Sequence, residues 1–234
     1  MESARVMRSL LCLRLVFGIA AAALGSGTGS EFDTRIFDCL QWLIDPDGNP
    51  GTIDDVPDVV QNSWRINEAG GYYTDCDARW WTAIDNCEAA GIVTLWSAGN
   101  EGPASGTIGS PADRATSLTN AFSVGSVNCT SGNWPYPIHP SSSRGPSGCD
   151  APPAYKIKPE VVGPGVDVFT CSAGGGYLLA TGTSFSGPHV AGVVALLREA
   201  DPDLDVPTIK SLLWDHARDL GPTGDDNSYG IGFI

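Results

Sequence analysis

The sequence is short of basic residues and of long apolar runs. It has 13 Lys and Arg against 27 Asp and Glu, which gives a formal net charge of −14. Because an acidic surface repels phosphate groups, this imbalance argues against binding to nucleic acid or to an anionic membrane. The one mostly apolar stretch, residues 9–24, is interrupted by Arg14 and is too short for a confident span, so we expect no membrane partner.

Paired cysteine motifs are also missing. None of the seven cysteines belongs to a C-x-x-C pair, which argues against a structural zinc site. The odd count leaves at least one cysteine unpaired. Two disulfides are candidates, Cys129 with Cys149 and Cys76 with Cys87. The alternative is that these cysteines are free buried thiols.

Composition and periodicity together predict a single globular domain. Hydrophobic residues make up 42% of the 234 residues, enough for a sizeable core. Predicted strands alternate with predicted helices, which indicates an α/β fold with a mostly parallel sheet between helices. The predicted helices cover residues 36–44, 80–90, 184–200 and 208–217. One predicted strand begins at residue 58, and the other three cover residues 92–96, 121–127 and 166–171.

The most informative segment reads G-T-S-F-S-G-P-H-V-A-G over residues 182–192. Ser184 stands where a helix should begin, and there the unpaired N–H groups and the helix dipole favour a developing anion. The helix that follows is apolar on all sides, which predicts burial through the centre of the domain. We therefore interpret His189, which lies within it, as a structural imidazole and not as a catalytic base.

This segment resembles the G-T-S-x-x-x-P-H-V-A-G signature of the subtilisin-like serine proteases, the peptidase S8 family. The phrases W-L-I-D-P-D-G and Q-N-S-W are most similar to the bacillopeptidase F branch of that family. The resemblance implies a three-layer subtilisin-like fold, incomplete at the N-terminus, and a secreted or extracytoplasmic endopeptidase. It also implies a peptide or protein substrate, with Ser184 as the nucleophile.

The segment S-A-G-N at residues 97–100 resembles the oxyanion segment of the same family. The resemblance makes Asn100 a hydrogen-bond donor to the oxyanion, together with the backbone N–H of Ser184. It also implies that peptide pairs with two short segments of the chain. The substrate-binding candidates are Ser63, Trp64, Ser97, Ala98 and Gly99. Two readings of Trp64 stay open, a pocket wall or core packing, and Arg65 replaces the small residue expected beside it.

Two motifs of the family are missing from this sequence, D-[ST]-G and H-G-T. Asp33-Thr34-Arg35 matches the first motif only in part, because Arg35 stands in the place of Gly. The three histidines, His139, His189 and His216, all lie in the second half of the chain. Because a serine hydroxyl is a weak nucleophile without a base, we expect this chain alone to be practically inactive. Residues 1–30 form a non-homologous segment that imitates a secretory signal peptide or is an artificial start, and residues 31–234 form a partial catalytic domain. Of the two, we favour the artificial start and expect that the true gene begins further upstream.

No cofactor is expected for the chemistry, and we expect a monomer. Calcium is common in the family, but the sequence names no ligand set. Asp45, Asp47 and Asn49 imitate the start of an EF-hand loop, and Pro50 and Val56 stand at the positions that need Gly and Glu. We therefore reject an EF-hand.

Two other functions compete with the endopeptidase. The chain could be a non-catalytic module that kept a peptide cleft, or a different serine hydrolase that uses His139 or His216 as its base. Peptide binding without turnover would favour the first alternative, and labelling of Ser184 by a fluorophosphonate would favour the second.

Overall fold

The computed structural model describes residues 29–66 and 71–234, so the predicted N-terminal segment lies almost entirely outside the described residues. The helices are α1 (Ser30–Ile44), α2 (Trp81–Ala89), α3 (Thr183–Ala200) and α4 (Val206–His216), with a 3-10 turn at Pro153–Lys156. The strands are β1 (Val59–Asn62), β2 (Val93–Ser97), β3 (Phe122–Val127), β4 (Val161–Pro164), β5 (Val168–Cys171) and β6 (Tyr177–Ala180). Of the helices that the structure describes, none combines the length and the apolar character needed to cross a membrane.

Four parallel strands form the central sheet in the order β1-β2-β3-β4. The register places Asn62 beside Trp96 and Ser97 beside Val124. Because all four strands run in the same direction, their carboxyl ends meet at one edge of the sheet, where open α/β sheets hold their ligands. The predicted parallel sheet is confirmed.

Helices cover the two faces of this sheet. On one face, α1 and α2 pack with Val60 and Trp96 in a core that is rich in tryptophan. On the other face, α3 and α4 pack with Val59, Val93 and Leu95. The alternation of neighbouring residues between the two cores follows from the two-residue period of a strand, and it produces the three layers that were predicted.

The predicted strand over residues 166–171 is not part of the parallel sheet. The structure places Val168–Cys171 in an antiparallel hairpin with Tyr177–Ala180. The strand that joins the sheet is Val161–Pro164, which is buried at its first three positions. In Val168–Cys171 exposed positions alternate with half-buried ones, which suits a hairpin at the surface.

The prediction that α3 is buried on all sides is wrong. Only the side of the helix toward the sheet is buried, with Val190, Ala191 and Val194 at most 1% exposed. Leu196 on the other side is 70% exposed. His189 is exposed as well, and its Nδ1–H donates to the carbonyl of Phe185 at 2.7 Å. An apolar composition therefore did not mean burial on every side of this helix.

Neither predicted disulfide forms. The structure instead pairs Cys76 with Cys149, which are 73 residues apart. The buried carboxylate of Asp113 helps to bring the two segments together, because it accepts from the Cys76 N–H at 2.9 Å while its backbone carbonyl accepts from the Ser147 hydroxyl. Of the described cysteines, Cys39, Cys87, Cys129 and Cys171 are free thiols. Closeness in sequence was a poor guide to this pairing.

Candidate active site

Ser184 lies in the first turn of α3, as predicted. The residue before the helix, Gly182, has φ +147°, a conformation that side chains rarely adopt. A Cβ atom there would lie 3.2 Å from Oδ1 of Asn100. Glycine at this position lets the chain turn sharply into the helix and brings Asn100 close to the N–H groups at the helix start.

The side chain of Asn100 is fixed by this same turn. Its Oδ1 accepts from the backbone N–H of Thr183 at 2.9 Å and from the Thr183 hydroxyl at 3.2 Å. With the carbonyl oxygen engaged in this way, the amide offers Nδ2 as its donor. The structure therefore brings together the two predicted residues Ser184 and Asn100, with an amide donor beside a helix N-terminus. Such a pairing can stabilise negative charge on an oxygen atom.

Side chains at the carboxyl ends of β1 and β2 form hydrogen bonds with the backbone at the start of α3. The Ser97 hydroxyl donates to the Thr183 carbonyl at 2.9 Å, and it accepts from Nε2 of Gln61 at 2.8 Å. The Ser63 hydroxyl reaches the carbonyl of Ser184 at 3.4 Å. Two of the predicted substrate-binding serines thus contact the segment that carries the candidate nucleophile.

Gln61 is a residue of this site that the sequence reasoning missed. Its amide packs so closely against Gly187 in α3 that a Cβ atom at that glycine would overlap it. Its position directly before the Asn62-Ser63 pair was the available signal. A long amide side chain at the end of a buried strand can reach the neighbouring strand, and here it positions Ser97.

The other predicted pocket residues differ in their surroundings. Ala98 is buried, and Gly99 exchanges two hydrogen bonds of 3.2 Å with the side chain of Thr183. Trp64 is only 8% exposed, and its ring lies edge-on to those of Trp80 and Trp96. The structure therefore favours core packing over a pocket wall for Trp64.

None of the three histidines is hydrogen-bonded to the hydroxyl of Ser184. Nδ1 of His139 is bonded to the Ser141 hydroxyl at 2.8 Å, and that of His216 to the Leu212 carbonyl at 3.0 Å. His189 points Nδ1 at the carbonyl of Phe185. All three rings thus use Nδ1 within their own short segments, and no hydrogen bond joins any of them to the hydroxyl of Ser184.

Asp33, the partial match to the missing aspartate motif, has a structural role instead. It lies within α1, and its carboxylate accepts from Arg79 and from the hydroxyls of Tyr72 and Tyr73. Burial and the Asp33 charge raise the pKa of Tyr73 to about 12. The guanidinium of Arg79 also lies over the rings of Tyr72, Tyr73 and Trp80, so these groups form a single packed cluster.

A second group of polar side chains lies in the loop between α1 and β1. Carboxylate oxygens of Asp45, Asp47 and Asp55 lie within 4.8 Å of one another. The loop supplies some of their partners, because the Asp47 N–H donates to Asp55 and the Thr52 hydroxyl donates to Asp47. Asp45 and Asp47 are close in sequence, whereas Asp55 comes close to them only through the fold of the loop. This group has no part in the serine site.

Comparison with known proteins gives one consistent result. The sequence model of the Subtilase family (Peptidase_S8) matches residues 19–232. Bacillopeptidase F of Bacillus subtilis (strain 168) is 32% identical over 231 residues, which is 92% of this chain and 14% of that protein. Serine protease AprX of the same organism is 30% identical over 227 residues, 90% of this chain and 47% of that protein.

Solved structures agree with the sequence relatives. Sphericase superposes with a TM-score of 0.68 at 25% identity, covering 86% of this chain and 63% of that one. The S41 psychrophilic protease superposes with a TM-score of 0.69 at 26% identity, covering 89% and 64%. This chain thus spans less than two thirds of each of these four proteins. The predicted family and fold class are confirmed, and the chain belongs to the subtilase family of serine peptidases.

Proposed function

We propose that this chain carries the nucleophile and the oxyanion hole of a secreted serine endopeptidase. The observation that carries the proposal is the hydrogen bond of 2.9 Å from the Thr183 N–H to Oδ1 of Asn100. It fixes the amide of Asn100 beside the turn that holds Ser184. A peptide carbonyl that enters there meets a hydroxyl and a pair of N–H donors together.

The reaction that this arrangement supports is acyl transfer. Oγ of Ser184 attacks the carbonyl carbon of the peptide while its proton passes to a base, which later returns it to the leaving amine. A C–O bond forms, and the π electrons move to the carbonyl oxygen. Nδ2 of Asn100 and the backbone N–H of Ser184 stabilise that oxyanion. The C–N bond then breaks, the amine leaves with a proton, and water later releases the acid from the acyl-Ser184 ester.

The proton of the Ser184 hydroxyl needs an acceptor, and the described residues place no imidazole in hydrogen-bond contact with it. We therefore propose that this chain alone turns over peptides very slowly. The same observation favours a second candidate function, a cleft that binds peptide without cutting it. In that case Ser184→Ala leaves peptide affinity unchanged.

The remaining parts of the proposal concern partners and compartment. The substrate is a peptide or protein held in extended form along residues 63–64 and 97–99, by the kind of backbone pairing that strand edges offer. The chemistry of Ser184 needs no cofactor, and the chain acts as a monomer. The Cys76–Cys149 disulfide and the acidic charge support a secreted or extracytoplasmic protein.

The test supplies the missing base from solution. The chain is treated with a fluorophosphonate, which forms a P–O bond with an activated serine and releases fluoride, with and without imidazole. We expect labelling to be slow alone and much faster with imidazole. We also expect Asn100→Ala to slow the rescued reaction; in subtilisin itself, removal of the oxyanion asparagine costs about 10²–10³ in rate.

Two variants make the result specific. Ser184→Ala should abolish labelling. Ser186→Ala should keep it, because the Ser186 hydroxyl is buried and donates to the Thr183 carbonyl at 3.0 Å. If folded wild-type chain is not labelled at any imidazole concentration, the nucleophile assignment is wrong. Peptide binding in that same sample would then leave the non-catalytic cleft as the function.

A further inference from the structure

We propose that Arg65 is a specificity-determining residue, which cancels the charge of Glu101 at the end of the peptide cleft so that the cleft accepts an uncharged substrate side chain. This inference rests on the proposed function, because it assumes that peptide lies beside residues 63–64 and 97–99. It concerns a residue that differs from the family pattern, since Arg65 replaces a small residue.

The pair closes the space between two neighbouring segments. These segments leave the carboxyl ends of β1 and β2, which lie side by side in the sheet. Nearest the helix, Ser63 and Asn100 contact the start of α3. Two residues beyond Ser63 and one beyond Asn100, Nε of Arg65 lies 3.1 Å from Oε2 of Glu101. The ion pair therefore joins the two segments, directly after the residues that contact the start of α3.

The carboxylate of Glu101 is held firmly behind one of the predicted pocket residues. Besides Arg65, its Oε2 accepts from the Asn100 N–H at 2.8 Å and from the Ser143 hydroxyl at 3.1 Å. A Cβ atom on Gly99 would lie only 2.6 Å from the same oxygen. With glycine there, only backbone separates this negative charge from a peptide lying along residues 97–99.

The sign of the local charge decides which side chain is favoured. A fixed carboxylate alone would attract a Lys or Arg side chain of the substrate. The guanidinium of Arg65 cancels that attraction at a distance of 3.1 Å. Both side chains stay partly accessible, at 26% and 43% exposure, so water and salt screen the effect but do not remove it.

The two charges can be removed one at a time with nearly equal side-chain volume. Arg65→Met leaves Glu101 uncompensated, and we expect a shift toward basic peptides. Glu101→Gln removes the Glu101 charge beside the guanidinium of Arg65, and we expect a shift toward acidic peptides. A purely steric role for the pair would not produce opposite shifts.

The experiment measures peptide affinity of the whole chain by NMR titration of the 15N-labelled protein. The probes are acetylated trialanine peptides that end in Leu, Lys or Glu. The wild type should prefer the Leu peptide. In Arg65→Met the Lys-to-Leu affinity ratio should rise about three- to tenfold, and in Glu101→Gln the Glu-to-Leu ratio should rise similarly. Both shifts should shrink in ~1 M salt.

The matched control is Arg35→Met, which makes the same charge change in the surface ion pair with Glu31 on α1. It should leave every ratio unchanged, and Arg65→Lys should do the same because it keeps the charge. Unchanged ratios in both cleft variants, or shifts of the same sign, would overturn the inference while the proposed function stands. If no peptide perturbs the signals of residues 97–101 in the wild type, the proposed cleft itself is wrong.

Discussion

Two regions of the molecule differ in how their side chains are held. The first is the proposed peptide cleft at the ends of β1 and β2 and the start of α3, where the side chains of Gln61, Ser97 and Thr183 bond to one another or to nearby backbone. The second is the hairpin of β5 and β6, which leads directly into Gly182. There Phe169 is 69% exposed and Tyr177 is 72% exposed.

The difference separates residues whose identity is fixed by neighbours from residues that face mainly solvent. In the cleft, one hydroxyl such as that of Ser97 serves two partners, so a change there disturbs two elements at once. In the hairpin, the rings of Phe169 and Tyr177 stack on each other with their centroids 4.9 Å apart, and both side chains are otherwise mostly exposed to solvent. Substitutions in the cleft should therefore lower stability and activity, whereas changes of the exposed side chains on the two hairpin strands should change neither by much.

The largest expected effect comes from the aromatic core beneath the cleft. Trp96 is fully buried and lies edge-on to Trp64 at 5.1 Å. Trp96→Ala should lower the free energy of unfolding by about 3–5 kcal/mol, whereas Leu196→Ala on the exposed side of α3 should change it by less than about 0.5 kcal/mol. Urea unfolding followed by circular dichroism measures both. Similar losses in the two variants would contradict the assignment of Trp96 to a packed core and of Leu196 to the solvent side of α3.

A second prediction compares two glycines with positive φ. Gly182 lies against Asn100, whereas Gly175 in the hairpin turn has φ +86° and no atom within 4 Å of the place that a Cβ would take. Alanine at either position should cost about 1–3 kcal/mol of unfolding free energy from backbone strain. Only Gly182→Ala should also shift the side-chain amide signal of Asn100 in an NMR spectrum. A shift of that signal in Gly175→Ala would mean that the hairpin turn and the cleft are coupled.

The sequence predicted three of the four strands of the sheet and the helix that begins at Ser184, because these rest on local patterns. The fourth strand, Val161–Pro164, was missed, and the nearness of Asn100 to this turn was expected from the family resemblance and not from a local pattern. A buried strand followed by S-A-G-N, and a turn followed by an apolar helix, are each encoded within about ten residues. The Cys76–Cys149 disulfide, the exposure of His189 and the pairing of Arg65 with Glu101 depend on segments far apart in the chain. No local period could show which of them meet, or that one side of α3 faces solvent.

The hairpin contains no Asp, Glu or His, so we expect changes of its side chains to have effects that do not depend on pH. A partly buried acid elsewhere in the chain gives the contrast. In the segment after α4, burial together with the charges of Glu160 and Asp226 raises the pKa of Asp225 to about 7. The folded state then holds this proton more tightly than the unfolded chain, in which an Asp titrates near 3.9. The stability from this group is fully present below about pH 4 and is lost as the pH rises toward about 7.

Asp225→Asn removes that dependence. The variant should gain stability relative to the wild type as the pH rises from about 4.5 to about 8, measured as the difference in Tm. Leu179→Ser in the hairpin is the comparison, and its difference from the wild type should not vary with pH. A constant difference for Asp225→Asn would show that its carboxyl ionises equally well in the folded and unfolded chain.

The smallest expected effect on stability comes from the hairpin itself. Phe169 and Leu179 expose 69% and 63% of their surface, and a contiguous apolar patch of this kind binds hydrophobic dyes. The double change Phe169→Ser and Leu179→Ser should lower the fluorescence of bound anilinonaphthalene sulfonate while the free energy of unfolding changes by less than about 1 kcal/mol. Leu118→Ser, at 43% exposure outside the hairpin, is the matched control and should leave the dye signal almost unchanged.

A large loss of stability that grows with protein concentration would instead mean that this face is covered in solution by a second copy. The two regions would then differ in what covers them and not in how tightly they are packed.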